Sequence, residues 1–126
     1  MSWETYRGRM TRDPDCLFCK IVAGEIPGNF VHRTDSVSVF RDINPQMPTH
    51  VLLVPNAHIA NTEALLPEHD ALVGELVRTA QDVARLEGLS ERGYRLVFNT
   101  GPDALNSVAH LHLHMLGGRS MSWPPG

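Results

Sequence analysis

"HLHLHMLGGR" (residues 110–119) alternates imidazole with apolar side chains before it reaches two glycines and an arginine. In a β-strand, successive side chains point to opposite faces, and alternate residues lie about 6.5 to 7 Å apart. The alternation therefore predicts a strand that carries His110, His112 and His114 on one face, turned toward solvent or a cleft. The leucines and the methionine between them share the other face, which we expect to lie against a core.

The spacing also limits what the three histidines do. The first and third rings lie about 13 Å apart along an extended strand, whereas zinc binds an imidazole nitrogen at about 2 Å. The row by itself therefore does not form a three-ligand metal site. We expect its members to have separate roles.

The rest of the chain predicts four more strands and two helices. Apolar residues recur at three- and four-residue steps between Pro67 and Glu87, which predicts one long amphipathic helix, and Gly88 suits its C′ position. A short helix is predicted after the Cys-x-x-Cys turn, and it ends near Gly24 and Pro27. The other predicted strands cover residues 30–34, 37–42, 50–55 and 94–100.

These elements predict an α+β fold. Five strands joined mainly by hairpins form a five-stranded antiparallel sheet, with one long helix on one face and a short N-terminal helix. The opposite face is expected to be open or covered by a partner. We expect a flexible N-terminal arm over residues 1–14 and a single domain over residues 15–126, which includes the C-terminal tail.

Composition excludes several classes of protein. The 126-residue chain has a net charge of -3, and its lysines and arginines are scattered, so it lacks the electrostatic footprint of a protein that binds duplex nucleic acid. It shows neither a signal-peptide core nor an apolar run of about 18 residues, which predicts a cytoplasmic protein without a membrane partner. Motifs of P-loop, Rossmann and α/β-hydrolase enzymes are missing.

Two cysteines suggest a metal site. Cys16 and Cys19 form a Cys-x-x-Cys pair, and a lone structural disulfide is disfavoured in a reducing compartment. Tetrahedral zinc would need two more ligands, most readily the imidazoles of His58, just past a strand, and His110. Spacing alone leaves open a Cys2His2 zinc site, a thiol redox pair and two buried cysteines without an ion.

The middle histidine is the candidate nucleophile. A neutral imidazole attacks phosphorus or a carbonyl when an acceptor on its other ring nitrogen fixes the tautomer. His112 has a histidine on each side, so His114 is placed to meet a leaving group and Ser107 to donate to an oxygen. The alternative is a row of exposed histidines without chemistry.

Three further features have a functional and a structural interpretation. Asp42 ends a strand, where its carboxylate accepts from a pair of sugar hydroxyls or simply forms a turn. Gly117 and Gly118 either open the backbone near an anion or end the strand. His50 begins a strand and lies close enough in the predicted layout to face the histidine row.

Several stretches between Asp15 and Gly126 carry a combined signature: "CLFCKIVAGEIP", "FRDINPQMPTHVLLVP", "HIA", "GYRLVFNTG", "SVAHLHLHMLGGR" and "MSWPPG". With them the chain resembles the histidine triad family, specifically its Hint branch. The resemblance implies a hydrolase that splits the P–N bond of purine nucleoside 5′-phosphoramidates, such as adenosine 5′-monophosphoramidate, through a nucleotidyl-histidine intermediate. It also implies that purine nucleoside monophosphates bind and that the chain is a homodimer with a continuous ten-stranded sheet.

The resemblance assigns roles residue by residue. His112 would be the nucleophile, His110 would orient it, and His114 would meet the phosphate and leaving group. It implies a further active-site histidine, His50, with Asn99 and Ser107 at the phosphate and Asp42 at the ribose. The residues implied around the base are Phe18, Phe40, Ile43 and Leu52, and Trp123 would lie in a tail that reaches the partner's site. The ligands implied for a structural zinc are Cys16, Cys19, His58 and His110.

One loop departs from the family pattern. The branch usually reads Gly-Gly-Gln-Ser where this chain has Ala104, Leu105, Asn106 and Ser107. Leu105 lacks the freedom of glycine to adopt a positive φ, and its side chain projects toward or away from the cleft. Two alternatives stay open: a dinucleoside polyphosphate hydrolase with the same chemistry, and a zinc-stabilised nucleotide-binding or adaptor module with little turnover, which the Leu105 departure motivates.

Overall fold

A computed structural model describes residues 12–126, so residues 1–11 of the predicted arm lie outside the described part of the chain. The helices and strands of this part are α1 (Leu17–Val22), β1 (Phe30–Arg33), β2 (Val37–Arg41), β3 (Thr49–Pro55), α2 (Asp70–Leu86), β4 (Tyr94–Phe98) and β5 (Leu113–Gly117). Within residues 12–126, the five strands form one antiparallel sheet in the order β1-β2-β3-β5-β4, and two helices accompany it, as the sequence predicts.

The long helix α2 covers one face of the sheet. Its buried residues Leu76, Ala80 and Val83 pack in one cluster with every second residue of the central strands, Leu53 and Leu113 among them. The helix begins at Asp70 rather than at Pro67, because residues 67–69 form a separate 3-10 turn. Burial of this apolar stripe is the main force that holds the helix on the sheet.

The short helix α1 packs on the opposite face. Phe18 and Ile21 join Phe40, Leu52 and Val54 in a second buried cluster. The expectation that this face is open or covered by a partner is therefore wrong for the part that α1 covers. Because side chains alternate along β2 and β3, the same strands supply both clusters.

The histidine stretch is a strand over only part of its length. β3 pairs with β5 from Thr49↔Gly117 to Leu53↔Leu113, and the Leu111 N–H donates to Ile59 O outside the sheet. The predicted strand is therefore too long at its start, and His110 and His112 precede β5. Alternation nevertheless persists, because Leu111, Leu113 and Met115 all lie in the cluster beneath α2.

The glycine pair ends the strand. Gly118 has a φ of 102°, and a Cβ there would lie 2.8 Å from Pro48 Cβ. A side chain at this position would clash and strain the backbone. Neither glycine lines the cavity described below, so the strand-ending interpretation is the one that the structure supports. Within residues 12–126, neither helix has the length and apolar composition needed to cross a bilayer.

Core packing beside the histidines sets the stability of the site. Leu113 is 1% exposed, whereas Leu86 on α2 is 64% exposed. Leu113→Ala is expected to lower the free energy of unfolding by about 2 to 5 kcal/mol because it leaves a cavity. Leu86→Ala is the matched control and should change it by less than about 0.5 kcal/mol. Urea denaturation measures both, and equal effects would contradict this description of the core.

Candidate active site

A cavity of about 620 Å³ lies between α1 and the sheet. Its volume falls in the range of about 300 to 1,000 Å³ that is typical of small-molecule sites. The cavity brings together nine of the residues that the sequence singles out: Phe18, Phe40, Asp42, Ile43, Leu52, Asn99, Ser107, His112 and His114.

A backbone carbonyl fixes the tautomer of His112. Its Nδ1 lies 2.7 Å from His110 O, and because a carbonyl only accepts, Nδ1 carries the proton. The other nitrogen, Nε2, therefore keeps its lone pair. Phe18 meets the His112 ring edge to face, with centroids 5.1 Å apart, which restricts rotation of the imidazole. Such an orientation suits an imidazole that acts as a nucleophile.

A second chain of contacts fixes the tautomers of His50 and His114. The Gln46 N–H donates to His50 Nδ1 over 3.0 Å, so the proton of His50 is on Nε2. That nitrogen lies 2.9 Å from His114 Nδ1 and donates to it, which leaves the proton of His114 on its Nε2. Asp42 Oδ2 lies 3.4 Å from His50 Nε2 and stabilises the same proton. The Nε2 atom of His114 is therefore a hydrogen-bond donor, whereas the Nε2 atom of His112 is an acceptor.

The surroundings keep His114 uncharged. Burial, together with the neighbouring His112 and His50, lowers the pKa of His114 to about 4, while Asp42 opposes the shift. Burial also lowers the pKa of His50, again against Asp42. Both rings are neutral at neutral pH, which agrees with the tautomers that the hydrogen bonds require.

Four residues on the far side of His112 form a candidate metal centre. The ligand atoms of Cys16, Cys19, His58 and His110 all lie within 4.8 Å of one another. His110 Nδ1 is 3.3 Å from Cys16 Sγ and 3.5 Å from Cys19 Sγ, and His58 Nδ1 is 3.4 Å from Cys19 Sγ. Tetrahedral zinc, with Zn–S about 2.3 Å and Zn–N about 2.0 to 2.1 Å, places S and N about 3.5 Å apart. The cluster therefore fits such an ion.

The chemistry of the donors agrees with the geometry. His110 is fully buried, and its Nε2 donates to Pro55 O over 2.8 Å, so the lone pair on Nδ1 faces the sulfurs. Burial lowers the pKa of His110 to about 4, which keeps the ring neutral, as a ligand must be. Burial raises the pKa of the Cys19 thiol to about 11, and the neighbouring Cys16 adds to the shift. A bound cation would favour the thiolate instead.

Asp42, His50 and His114 also bring their ligand atoms within 4.8 Å of one another. This second group does not fit a metal ion, because the Gln46 N–H already occupies His50 Nδ1 and the proton must remain on Nε2. A protonated nitrogen has no lone pair to donate. Of these two clusters within residues 12–126, the cysteine-containing one has the donor set for a metal.

Some predicted site residues lie elsewhere. His110 faces the cysteines rather than the cavity, so the expectation that all three histidines turn toward solvent or a cleft is wrong for His110, which α1 buries. Trp123 is exposed on the tail beside Arg95, 5.9 Å from the indole ring, and does not line the cavity. Its implied contact with a partner subunit stays a prediction.

Sequence reasoning did not identify several cavity residues. Ile21, Ile26 and Pro27 bring the end of α1 and the following turn into the lining. The contact between Asp42 and His50 was also missed, although the hairpin register predicts it. Arg41 pairs with Val51 in an antiparallel register, which places Asp42, the residue after Arg41, opposite His50, the residue before Val51.

Comparison with known proteins places the chain in a family. Residues 23–121 match the HIT domain family, and the chain belongs to it. A crystal structure of a HIT family hydrolase from Legionella pneumophila Philadelphia 1 has a TM-score of 0.87 and 48% identity, covering 89% of this chain and 100% of that one. The chain is a hydrolase of this family.

Two relatives have informative names. The purine nucleoside phosphoramidase of Escherichia coli K12 is 41% identical over 107 residues, which cover 85% of this chain and 90% of that protein. The 14 kDa zinc-binding protein of Brassica juncea is 46% identical over 114 residues, which cover 89% of this chain and 100% of that protein.

Protonation of His114 tests the electrostatic description of the site. The pKa of His114 is 6.5 in the unfolded chain and about 4 in the folded chain, so the unfolded state binds more protons between these two pH values. Lowering the pH through this window is expected to reduce the free energy of unfolding, and the effect should be smaller in His114→Asn. Long-range ¹H–¹⁵N NMR should show His114 neutral at pH 5.5, with Nδ1–H on His112 and Nε2–H on His50. A charged His114 at that pH would contradict the assignment.

Proposed function

We propose that the protein is a nucleotide hydrolase that cleaves the P–N bond of purine nucleoside 5′-phosphoramidates. The observation that carries the proposal is the hydrogen bond from His112 Nδ1–H to the carbonyl of His110, which leaves a lone pair on Nε2 in a residue that lines the cavity. The Escherichia coli relative named for this activity supports the same substrate class.

The cavity supplies a place for each part of a nucleotide. Phe18, Phe40 and Leu52, all buried, and Ile43 at the rim form an apolar region for the base. The carboxylate of Asp42 accepts hydrogen bonds from the ribose hydroxyls. Two polar groups, Asn99 and Ser107, lie with the histidines among the lining residues and contact the phosphate.

The reaction proceeds in two displacements. His112 Nε2 attacks the α-phosphorus, the P–N bond breaks, and the departing nitrogen takes a proton at Nε2 of His114 while a water molecule gives one back, so His114 stays neutral and the water becomes hydroxide. Hydroxide then attacks the nucleotidyl-histidine, and the P–N bond to His112 breaks with its electron pair returning to Nε2. The products are an amine and a nucleoside monophosphate. Two inversions give net retention at phosphorus.

His50 acts through His114. Its Nε2–H holds the His114 ring by Nδ1, so the proton of His114 stays on the other nitrogen. The backbone of Gln46 fixes His50 in turn. This relay orients the proton donor without a permanent charge.

We propose that zinc occupies the Cys16, Cys19, His58 and His110 cluster. The relative named as a zinc-binding protein supports the identity of the ion. When bound, the ion supplies a structural crosslink and no chemistry to the substrate, since none of its four ligands lines the cavity. Through Cys16 and Cys19, α1 is thereby fastened to the loop that carries His58 and to the segment before β5 that carries His110.

We also propose a cytoplasmic homodimer with a ten-stranded sheet. β4 is an edge strand of the described sheet, and Val77 on α2 exposes apolar surface. Edge strands and apolar helix faces are typical subunit contacts. The domain division at residue 14 also stays a prediction, although Asp13 O accepts the N–H of Cys16.

Replacement of His112 tests the nucleophile. His112→Ala is expected to lower phosphoramidate turnover about 10³-fold or more, because no other described group replaces the lone pair. His32→Ala, on β1 outside the cavity lining, is the control and should leave turnover unchanged. Mass spectrometry of wild-type enzyme quenched during turnover should show a nucleotidyl adduct on His112.

The same assay separates the alternatives. Faster cleavage of diadenosine polyphosphate than of adenosine phosphoramidate would favour a dinucleoside polyphosphate hydrolase. Binding of nucleotide without hydrolysis of either compound would favour a nucleotide-binding or adaptor module. Inversion at a chiral phosphorus would exclude the two-step mechanism.

Thiol reactivity tests the metal site. Zinc-bound cysteines react slowly with alkylating agents, and we expect Cys16 and Cys19 to react at least about tenfold faster after a chelator is added. Elemental analysis should find one zinc per chain, and Cys16→Ser should lower both the zinc content and the melting temperature. Rapid alkylation without chelator, together with an absence of bound metal, would support the redox alternative.

A further inference from the structure

Leu105 adopts a backbone conformation that favours glycine. Its φ and ψ are 61° and 34°, and it is the one non-glycine residue within residues 12–126 with a positive φ. The loop is closed around it, since its N–H donates to Pro102 O over 3.0 Å and the Asn106 N–H donates to Gly101 O over 3.1 Å. A leucine is sterically disfavoured here, and strain of this kind is often retained at functional sites.

The leucine side chain has no role in the core. Leu105 is 85% exposed, although it is among the residues that line the cavity. Ile43, which also lines it, is 100% exposed. Because neither side chain gains from burial in its own fold, both present apolar surface at the mouth of the site.

Strand order places the start of the Leu105 loop on the far side of His114 from Asp42. Asp42 follows β2, Leu52 lies on β3, His114 on β5, and the loop of Leu105 follows β4. Neighbouring strands lie about 4.8 Å apart, so the lining extends about 14 Å across the sheet from β2 to β4. A nucleotide with its ribose at Asp42 and its phosphorus at the histidines directs the group beyond phosphorus toward the loop after β4.

Apolar and polar groups meet at this end of the cavity. The side-chain amide of Asn106 donates to Val108 O over 3.2 Å, so one of its donors is already used within the loop. Val108 adds further apolar surface to the lining. Leu105 and Val108 therefore offer apolar surface to a bound group beside the polar side chains of Asn106 and Ser107.

We propose that Leu105 is a specificity-determining residue that favours phosphoramidates whose departing amine carries an apolar group. The inference rests on the proposed function and goes further, since it names the class of leaving group. Leu105 contacts the aliphatic or aromatic part of the amine and shields it from water, while the departing nitrogen stays at the histidines.

Two substrates of equal length test the inference. Adenosine 5′-phosphoramidates of n-butylamine and of 3-aminopropanol differ only in a terminal methyl or hydroxyl group. The wild-type chain is expected to prefer the butyl compound in kcat/KM, and Leu105→Asn should lower this preference about fivefold to tenfold. Leu105→Met is the matched control and should retain it, because methionine is apolar and similar in volume.

The variants separate side chain from backbone. Asparagine tolerates a positive φ, so Leu105→Asn keeps the loop conformation while it removes apolar surface. Leu105→Gly removes the side chain and the strain together, and it should lose the preference in the same way. A loss in both variants assigns the selectivity to the leucine side chain.

The outcomes are distinguishable. An unchanged preference in Leu105→Asn and Leu105→Gly, with turnover retained, overturns the inference but leaves the proposed function standing. A wild-type chain that hydrolyses neither compound overturns the proposed function, and this inference with it. A change of association state in sedimentation velocity, with an unchanged preference, assigns Leu105 to a subunit contact and also overturns the inference.

Discussion

His110 connects the candidate metal cluster, the sheet and the segment that carries His112. Its ring nitrogen Nδ1 faces the two cysteine sulfurs, its Nε2 donates to the carbonyl of Pro55 at the end of β3, and its own carbonyl accepts from His112. One buried residue therefore fixes the backbone that orients the candidate nucleophile. A change in the position of His110 would alter the direction of the His112 lone pair.

The same contacts explain how a short helix forms one wall of the cavity. α1 has six residues, too few for an isolated helix to be stable in water. Its position depends on burial of Phe18 and Ile21 and on the cysteines that meet His58 and His110. Phe18 lies between the two cysteines in sequence and touches the His112 ring, so the candidate metal cluster and the candidate nucleophile share a neighbour. The contacts of the two cysteines thereby help to hold the wall that restricts His112.

Local sequence patterns predict much of this fold and less of the site's detail. Alternation in residues 110–119 correctly assigns Leu113 and Met115 to the core, and three- and four-residue periodicity predicts α2. The exact ends depend on distant partners: the Leu111 N–H bonds to Ile59, and this contact keeps His110 and His112 out of β5. Burial of His110 follows from α1 packing over it, which a strand pattern does not specify. The tautomer of His50 depends on one backbone N–H in the loop before β3.

Backbone groups thus give two similar side chains, His112 and His114, different tautomers. A carbonyl holds the proton of His112 on Nδ1, whereas a peptide N–H, acting through His50, directs the proton of His114 to Nε2. The two rings lie side by side, with centroids 4.9 Å apart, yet one offers a lone pair and the other a proton. Because main-chain groups do not titrate, this division does not depend on keeping either ring charged. The candidate nucleophile therefore lies beside a candidate proton donor that burial keeps uncharged.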